Sequence, residues 1–207
     1  MEASNVLAGR WFLLLLCCFT TASWAAPVAP QEFVQQTADR TIARLKAEST
    51  QLEQDPDRIY AVVQDLLLPN FDFSRMSRWV LGKYWRDATP AQRQRFTEEF
   101  RTLLVRTYAS SLVKYVDNKI TYLPSQWSPG EKEATVRSEV ERPGAKTVTV
   151  DYRMHLDNDA WKIYDVTVDD ISLVINYRSS FASEINNNGI DKLIEKLAEK
   201  NRQIGNG

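Results

Sequence analysis

The sequence predicts an α+β fold: helices come first, about four antiparallel strands follow, and helices close the chain. Two observations carry that expectation. As far as Tyr115, apolar residues return at close to the helical period of about 3.6, and from Ile120 onward they return at every second residue. Within the second region Val148, Val150, Tyr152, Met154 and Leu156 alternate almost without fault against Thr147, Thr149, Asp151, Arg153 and His155. A strand of this kind has one apolar face, and an antiparallel sheet with one apolar face buries it under helices. The expected architecture is one sheet curled around a helical layer.

The N-terminus differs from the rest. Arg10 precedes WFLLLLCCFTTASWAA, an apolar run followed by small residues, the layout of a cleavable secretory signal. Residues 1–25 are read as that signal, with Ser23 and Ala25 as the small-x-small pair before the cut. The run is too short for a membrane span, which needs about 20 apolar residues. A lipid-modified cysteine follows small residues, whereas Cys17 and Cys18 follow Leu15 and Leu16. Both cysteines leave with the signal, so the expected mature chain has no disulfide, no thiolate nucleophile and no cysteine metal site. Residues 26–207 are expected to form a single domain.

Each element then has its own signal. Phe33, Thr37, Ile42 and Leu45 give a first helix reaching to Leu52, and Asp55-Pro56 punctuates it. Ile59, Val62, Val63, Leu66 and Leu67 give a second, closed by Leu68-Pro69. FDFSRMSRWVLGKYW, Phe71 to Trp85, is aromatic-rich and helical, with Gly82 near its end. ATPAQR carries the clearest start signal: Thr89 caps, Pro90 takes the first helical position, and Gln92 completes a capping box. Phe96, Phe100, Leu103, Leu104, Tyr108, Leu112 and Tyr115 form the apolar stripe of that long helix. Ile120 to Leu123, Ala134 to Val140, Val148 to Leu156 and a segment from Ala160 are the strands. Ile171 to Asn186 is read as a helix that Asp169-Asp170 cap, and 190–201 as a charged amphipathic helix packed on the domain.

Several functional classes fall away. The formal charge of −1 gives no electrostatic reason for nucleic acid as the main partner. Gly82, Gly130, Gly144 and Gly189 lie far apart, so no glycine-rich phosphate loop and no GxSxG elbow can be built. His155 is the only histidine, expected to be solvated on the polar face of its strand, which removes imidazole metal sites and serine–histidine triads. Carboxylates remain as possible catalysts. Asp165 interrupts an apolar segment, and a base buried in an apolar cavity has a raised pKa.

What the sequence has in plenty is large apolar surface. Trp79, Tyr84, Trp85, Phe96, Phe100, Tyr108, Tyr115, Tyr122, Tyr152 and Trp161 are many big side chains for one domain. LLLPNFDFSRMSRWVLGKYWRDATPAQRQRF, the long helix after it, and AWKIYDVTVDDISLVINYRSSF…NNGIDKLIEKLAEKN together resemble the MlaC family, also called toluene-tolerance or Ttg2-type periplasmic proteins. The resemblance runs from about Phe33 to Asn201 and is most specific in VLGKYW with ATPAQR and in YDVTVDDISLVINYRSSF. One departure is Asp169-Asp170, where the family more often has Glu-Gly. The resemblance implies a sheet related to the NTF2-like cone, with a pocket for acyl chains between sheet and helices. It implies a soluble periplasmic phospholipid carrier, without cofactor or metal, that performs no chemistry on its cargo. The partners it implies are the MCE-domain subunit of an inner-membrane ABC transporter and an outer-membrane lipoprotein–porin complex, the outcome being maintained outer-membrane lipid asymmetry.

Face and period give the expected pocket. The helices contribute Trp79, Val80, Phe96, Phe100, Leu103, Leu104 and Tyr108, and the sheet contributes Val136, Val148, Val150, Tyr152 and Ile163. The later helix adds Ile171, Val174, Ile175 and Tyr177. Lys83, Arg86 and Arg178 are headgroup or partner contacts, although Arg178 is read first as half of an internal salt bridge. Two other readings stay open here: an NTF2-like pocket enzyme with Asp165 or Asp170 as base acting on an apolar small molecule, and a structural envelope adaptor with a filled core.

Overall fold

In the computed structural model, which describes residues 28–125 and 127–205, the chain runs through α1 (Pro30–Ala47), α2 (Ser49–Gln54), α3 (Arg58–Leu66), α4 (Phe73–Leu81), α5 (Tyr84–Asp87) and α6 (Pro90–Lys114). Strands β1 (Ile120–Tyr122), β2 (Glu133–Val140), β3 (Val148–Asp157), β4 (Ala160–Val168) and β5 (Ile171–Ser172) follow, then α7 (Leu173–Asn188) and α8 (Ile190–Gly205). The expected signal segment, with Cys17 and Cys18, lies outside the described residues.

The helical starts follow the local chemistry. At α6 the Gln92 amide donates 3.2 Å to Thr89 Oγ1 and the Thr89 amide donates 2.9 Å to Gln92 Oε1, the reciprocal box the sequence predicts. At α4 Asp72 accepts from the Arg75 amide at 2.8 Å, and Gly82 ends the helix with φ of +55°. The expected single helix from Phe33 to Leu52 is instead α1 and α2, broken at Glu48. Its buried line is also different. Val34, Thr37, Thr41 and Leu45 face inward, while Phe33 and Ile42 flank them.

The sheet is a five-stranded antiparallel meander in the order β1-β2-β3-β4-β5. Its register puts Val136 opposite Tyr152, Tyr152 opposite Val166, and Val150 opposite Val168, so these side chains share one face. A bulge lies between Arg153 and Met154: Met154 pairs with Ile163 and Arg153 with Asp165, leaving Tyr164 as the extra residue. The second face carries Arg153, His155, Tyr164 and Asp165. α1 packs on β2, whereas α4 and α7 pack on β4.

The acids before α7 do not cap it. Asp169 and Asp170 both have positive φ, +46° and +65°, and form the two-residue turn between β4 and β5. The cap is Ser172, whose Oγ accepts from the Ile175 amide at 3.1 Å, so α7 begins at Leu173 rather than Ile171. Asp169 Oδ1 accepts from the Thr149 amide at 3.1 Å, which ties the turn to β3. Asp170 is exposed in a left-handed conformation that glycine adopts without a Cβ penalty. Asp170→Gly is expected to raise stability by about 0.5–1 kcal/mol, measured as a higher denaturant midpoint at unchanged m-value.

Candidate functional site

α6 packs chiefly on α8, α3 and α4, not on a strand. Buried apolar residues among the described ones therefore fall into separate clusters. One joins α4, α6, α7 and α8 through Met76, Val80, Phe96, Phe100, Phe181 and Ile194. A second joins α1, α2, α3 and α6 through Leu45, Leu52, Ile59, Val62 and Ala109. The third is the apolar sheet face, with Val34, Val136, Met154, Trp161 and Ile163. A chain of this length ordinarily makes one contiguous core with small satellites. Here α1 runs from the sheet cluster, at Val34, to the helical cluster, at Leu45, and the turn from Leu68 to Phe71 joins the same two clusters.

Between those two anchor points α1 turns Thr37 and Thr41 inward. The Thr41 hydroxyl donates 2.8 Å to the Thr37 carbonyl, and the buried Thr37 Oγ1 has no partner among the described residues. Opposite stand Tyr122 and Tyr152. Burial pushes the Tyr122 phenol up, with Tyr152 and Asp39 adding to the effect. Burial also pushes the Tyr152 phenol up, with the Ser138 hydroxyl working against it. Yet Tyr152 keeps accessible area and is only half-buried. Tyr122 and Tyr152 both belong to the apolar sheet face on which α1 packs.

An apolar line leads out of it. Val150 pairs with Val168, and Val168 pairs with Ile171 across the β4–β5 turn. Ile171 and Ile175 are each 61% exposed, the most open large apolar side chains described, with Val168 and Tyr108 less so. Isolated exposed apolar residues are ordinary, but a run of them continuous with a buried face is not. A groove of about 480 Å³ opens at the far end of the helical cluster. Leu45, Leu52, Ile59 and Val116 form its floor, and Lys46, Glu53 and Asp117 its rim.

The residues expected in one pocket are thus distributed. Val136, Val148, Val150, Tyr152 and Ile163 share the sheet face. Val80, Phe96, Phe100, Leu103, Leu104 and Val174 sit in the α4–α6–α7–α8 cluster, with Tyr177 packed against it. That cluster is dense: the Phe100 ring is 5.7 Å from Phe96, 6.0 Å from Phe181 and 5.3 Å from Tyr177. Tyr108, Ile171 and Ile175 are exposed. Trp79 lies on the second sheet face, stacked on Tyr164 at 6.1 Å with the Arg153 guanidinium 5.6 Å from its ring. Sequence reasoning missed Thr37, Tyr122 and Val166. Tyr122 stood out only as a large aromatic, the strand period from Ala160 could have found Val166, and a threonine in a polar helix gives no apolar signal.

The candidate catalytic carboxylates have structural work. Asp165, 2% exposed, accepts from Ser172 Oγ at 2.6 Å and from the Val174 amide at 3.2 Å. Both of its oxygens hold the start of α7, and Asp170 points into solvent at the turn. His155 is not the solvated histidine expected: its Nε2 lies 2.9 Å from Asp72 Oδ2, so it clamps the sheet to the N-terminus of α4. Among the described residues no His, Cys, Asp and Glu group suits a metal ion.

Lys83, Arg86 and Arg178 do come together. They line a groove of about 640 Å³ with Arg78, Arg93, Trp85 and Gly82. The internal salt bridge expected for Arg178 is absent among the described residues. Its guanidinium instead lies over Gly82, where an added Cβ would come within 3.1 Å of it.

The raised phenols set a pH limit. Tyr122, Tyr152 and Tyr177 bind their protons more tightly folded than unfolded, where the value is 10.0. The stability linked to them is complete below that value and is lost as pH climbs above it. Phenolate absorbance from these three is expected to rise together with loss of far-ultraviolet dichroism, not before it.

The fold and site define an α+β protein with a meander sheet, helices packed against it, and an apolar sheet face that runs on to an exposed apolar edge. The MlaC protein family matches residues 35–199, and the chain belongs to that family. Toluene tolerance protein ttg2D of Pseudomonas putida is 32% identical over 192 residues, covering 91% of this chain and 88% of that one. The intermembrane phospholipid transport system binding protein MlaC of Haemophilus influenzae is 26% identical over 202 residues, with 94% of each chain covered. A phospholipid-binding protein from Ralstonia solanacearum, solved in complex with a phospholipid, superposes with a TM-score of 0.78 at 28% identity, over 87% of this chain and 99% of that one.

Proposed function

We propose that this chain is a soluble periplasmic phospholipid carrier that encloses acyl chains and performs no chemistry on them. The observation that carries the reading is the apolar sheet face, whose Val150–Val168–Ile171 line runs on to side chains left exposed at Ile171 and Ile175. The family membership and the phospholipid-bound neighbour support it. Each buried methylene favours transfer from water by about 0.8 kcal/mol, so the chains of a diacyl lipid are worth roughly 20 kcal/mol. A carrier must therefore cover them nearly completely while leaving the headgroup wet. In this reading the acyl chains lie between α1 and the sheet, in a recess walled by half-buried Val150, Tyr152 and Val166, and enter at the Val168–Ile171–Ile175 edge. Asp165, committed to capping, favours this over an enzyme with a buried base.

In this reading lipid passes between the outer-membrane lipoprotein–porin complex and the MCE-domain subunit of the inner-membrane ABC transporter, maintaining lipid asymmetry. The transport-system name of the Haemophilus relative supports that placement. Incubation with vesicles of labelled phospholipid, followed by separation, is expected to leave label on the protein. Ile171→Asp with Ile175→Asp is expected to cut loading by about tenfold with stability changed by no more than about 0.5 kcal/mol per site, since both side chains are exposed. Undiminished loading in a folded double variant would place the entrance elsewhere.

A further inference from the structure

The groove at the α4–α5 corner gathers five cationic side chains. Arg78, Lys83, Arg86, Arg93 and Arg178 line it with no carboxylate beside them, and none of the five forms an ion pair among the described residues. The whole chain carries a formal charge of −1, so this concentration of cations is local, balanced by acids elsewhere. The cations are also held in place. Arg93 donates from Nε to the Trp85 carbonyl at 2.8 Å and from its Nη2 to the Arg86 carbonyl at 3.1 Å. The guanidinium carbons of Arg93 and Arg78 lie 5.4 Å and 5.9 Å from the half-buried Trp85 ring, and Lys83 Nζ lies 4.9 Å from the Tyr84 ring. Gly82 leaves the room that the Arg178 guanidinium occupies. None of the sheet-face residues of the recess lines this groove.

We propose that this groove docks the protein on a bilayer surface through the phosphodiesters of anionic phospholipid headgroups. Several guanidiniums in fixed positions match phosphate oxygens in pairs, and Arg and Lys beside Trp and Tyr are the side chains that settle at a headgroup layer. The groove offers no apolar socket for a protein anchor besides Trp85. The proposal rests on the carrier reading, because a lipid carrier gains from being held where its cargo enters and leaves.

The test is co-sedimentation of the lipid-loaded mature protein with vesicles of phosphatidylcholine alone, or of phosphatidylcholine with phosphatidylglycerol. Binding is expected only to the anionic vesicles and is expected to be lost as salt rises from about 0.05 M to about 0.5 M. Lys83→Glu with Arg86→Glu, both exposed side chains without hydrogen bonds among the described residues, is expected to weaken it by at least about tenfold. Co-purified phospholipid, measured in the same preparations, is expected to be equal in parent and variant. Equal binding to both vesicle types, or binding unaffected by the double reversal, overturns the proposal. So does release by inorganic phosphate but not by chloride at matched ionic strength, which assigns the groove to a free anion. Charge-dependent capture of an acidic protein partner without vesicle binding also overturns it. Absence of lipid from parent and variant alike counts against the carrier reading, whatever the vesicles show.

Discussion

Phe100→Ala is expected to destabilise the fold by about 3–5 kcal/mol, read as a lower denaturant midpoint. Its side chain has no exposed area and sits among Phe96, Tyr177 and Phe181, each ring within 6.0 Å. These residues come from α6 and α7, and α8 closes over them through Leu193, Ile194 and Leu197. Truncation would leave a void bordered by rigid rings that cannot collapse into it, which puts the cost at the upper end for a core position. The consequence for function follows from the division of the interior. In the proposed reading the aromatic cluster is filled by protein and cargo lies against the sheet face. A milder change, Phe100→Leu, is expected to retain most of the stability and the lipid loading. Loading lost in a stable Phe100→Leu protein would mean that cargo reaches into this cluster.

Asp165→Ala is expected to cost roughly 2–4 kcal/mol, because it leaves buried donors without their acceptor. The Ser172 hydroxyl and the Val174 amide would both lose it, and Arg153 would lose the residue it faces across the ladder. Ser172 also caps α7 through the Ile175 amide, so a loosened Ser172 frays the helix start that carries Ile175. Asp165→Asn retains an acceptor and is expected to cost less than half as much. Because the carboxylate is structural, Asp165→Asn is expected to leave lipid loading intact in the folded fraction. Turnover of a small apolar substrate by the parent, abolished by this change, would revive the enzyme reading.

Much of the architecture was legible in the sequence because its signals are local. The alternation in β3 sets the apolar face without reference to any partner, and the Thr89–Gln92 box fixes the start of α6 within four residues. What escaped depends on pairings and contacts that no single segment's pattern carries. Asp169 and Asp170 look like helix caps until the pairing of Thr167 with Ser172 makes them a hairpin turn. His155 looks solvated until Asp72, 83 residues earlier, is brought against it. The candidate site was legible in composition but not in partition: an apolar period cannot tell a side chain fully packed on protein, such as Phe96, from one left half-buried on the sheet face, such as Tyr152. Trp79 shows the same limit, since its helix places it on the opposite sheet face from Tyr152. Arg178, far from Lys83 and Arg86 in the chain, meets them because Gly82 leaves room for its guanidinium at the end of α4.

The central claim is that the recess between α1 and the sheet holds phospholipid. Extraction of the purified, never-denatured protein with organic solvent, followed by mass spectrometry of the extract, tests it most directly. The account predicts intact diacyl phospholipid in a fixed ratio to protein, lost after unfolding and refolding in lipid-free buffer. Protein that carries no lipid, and takes none from phospholipid vesicles while folded, would contradict it.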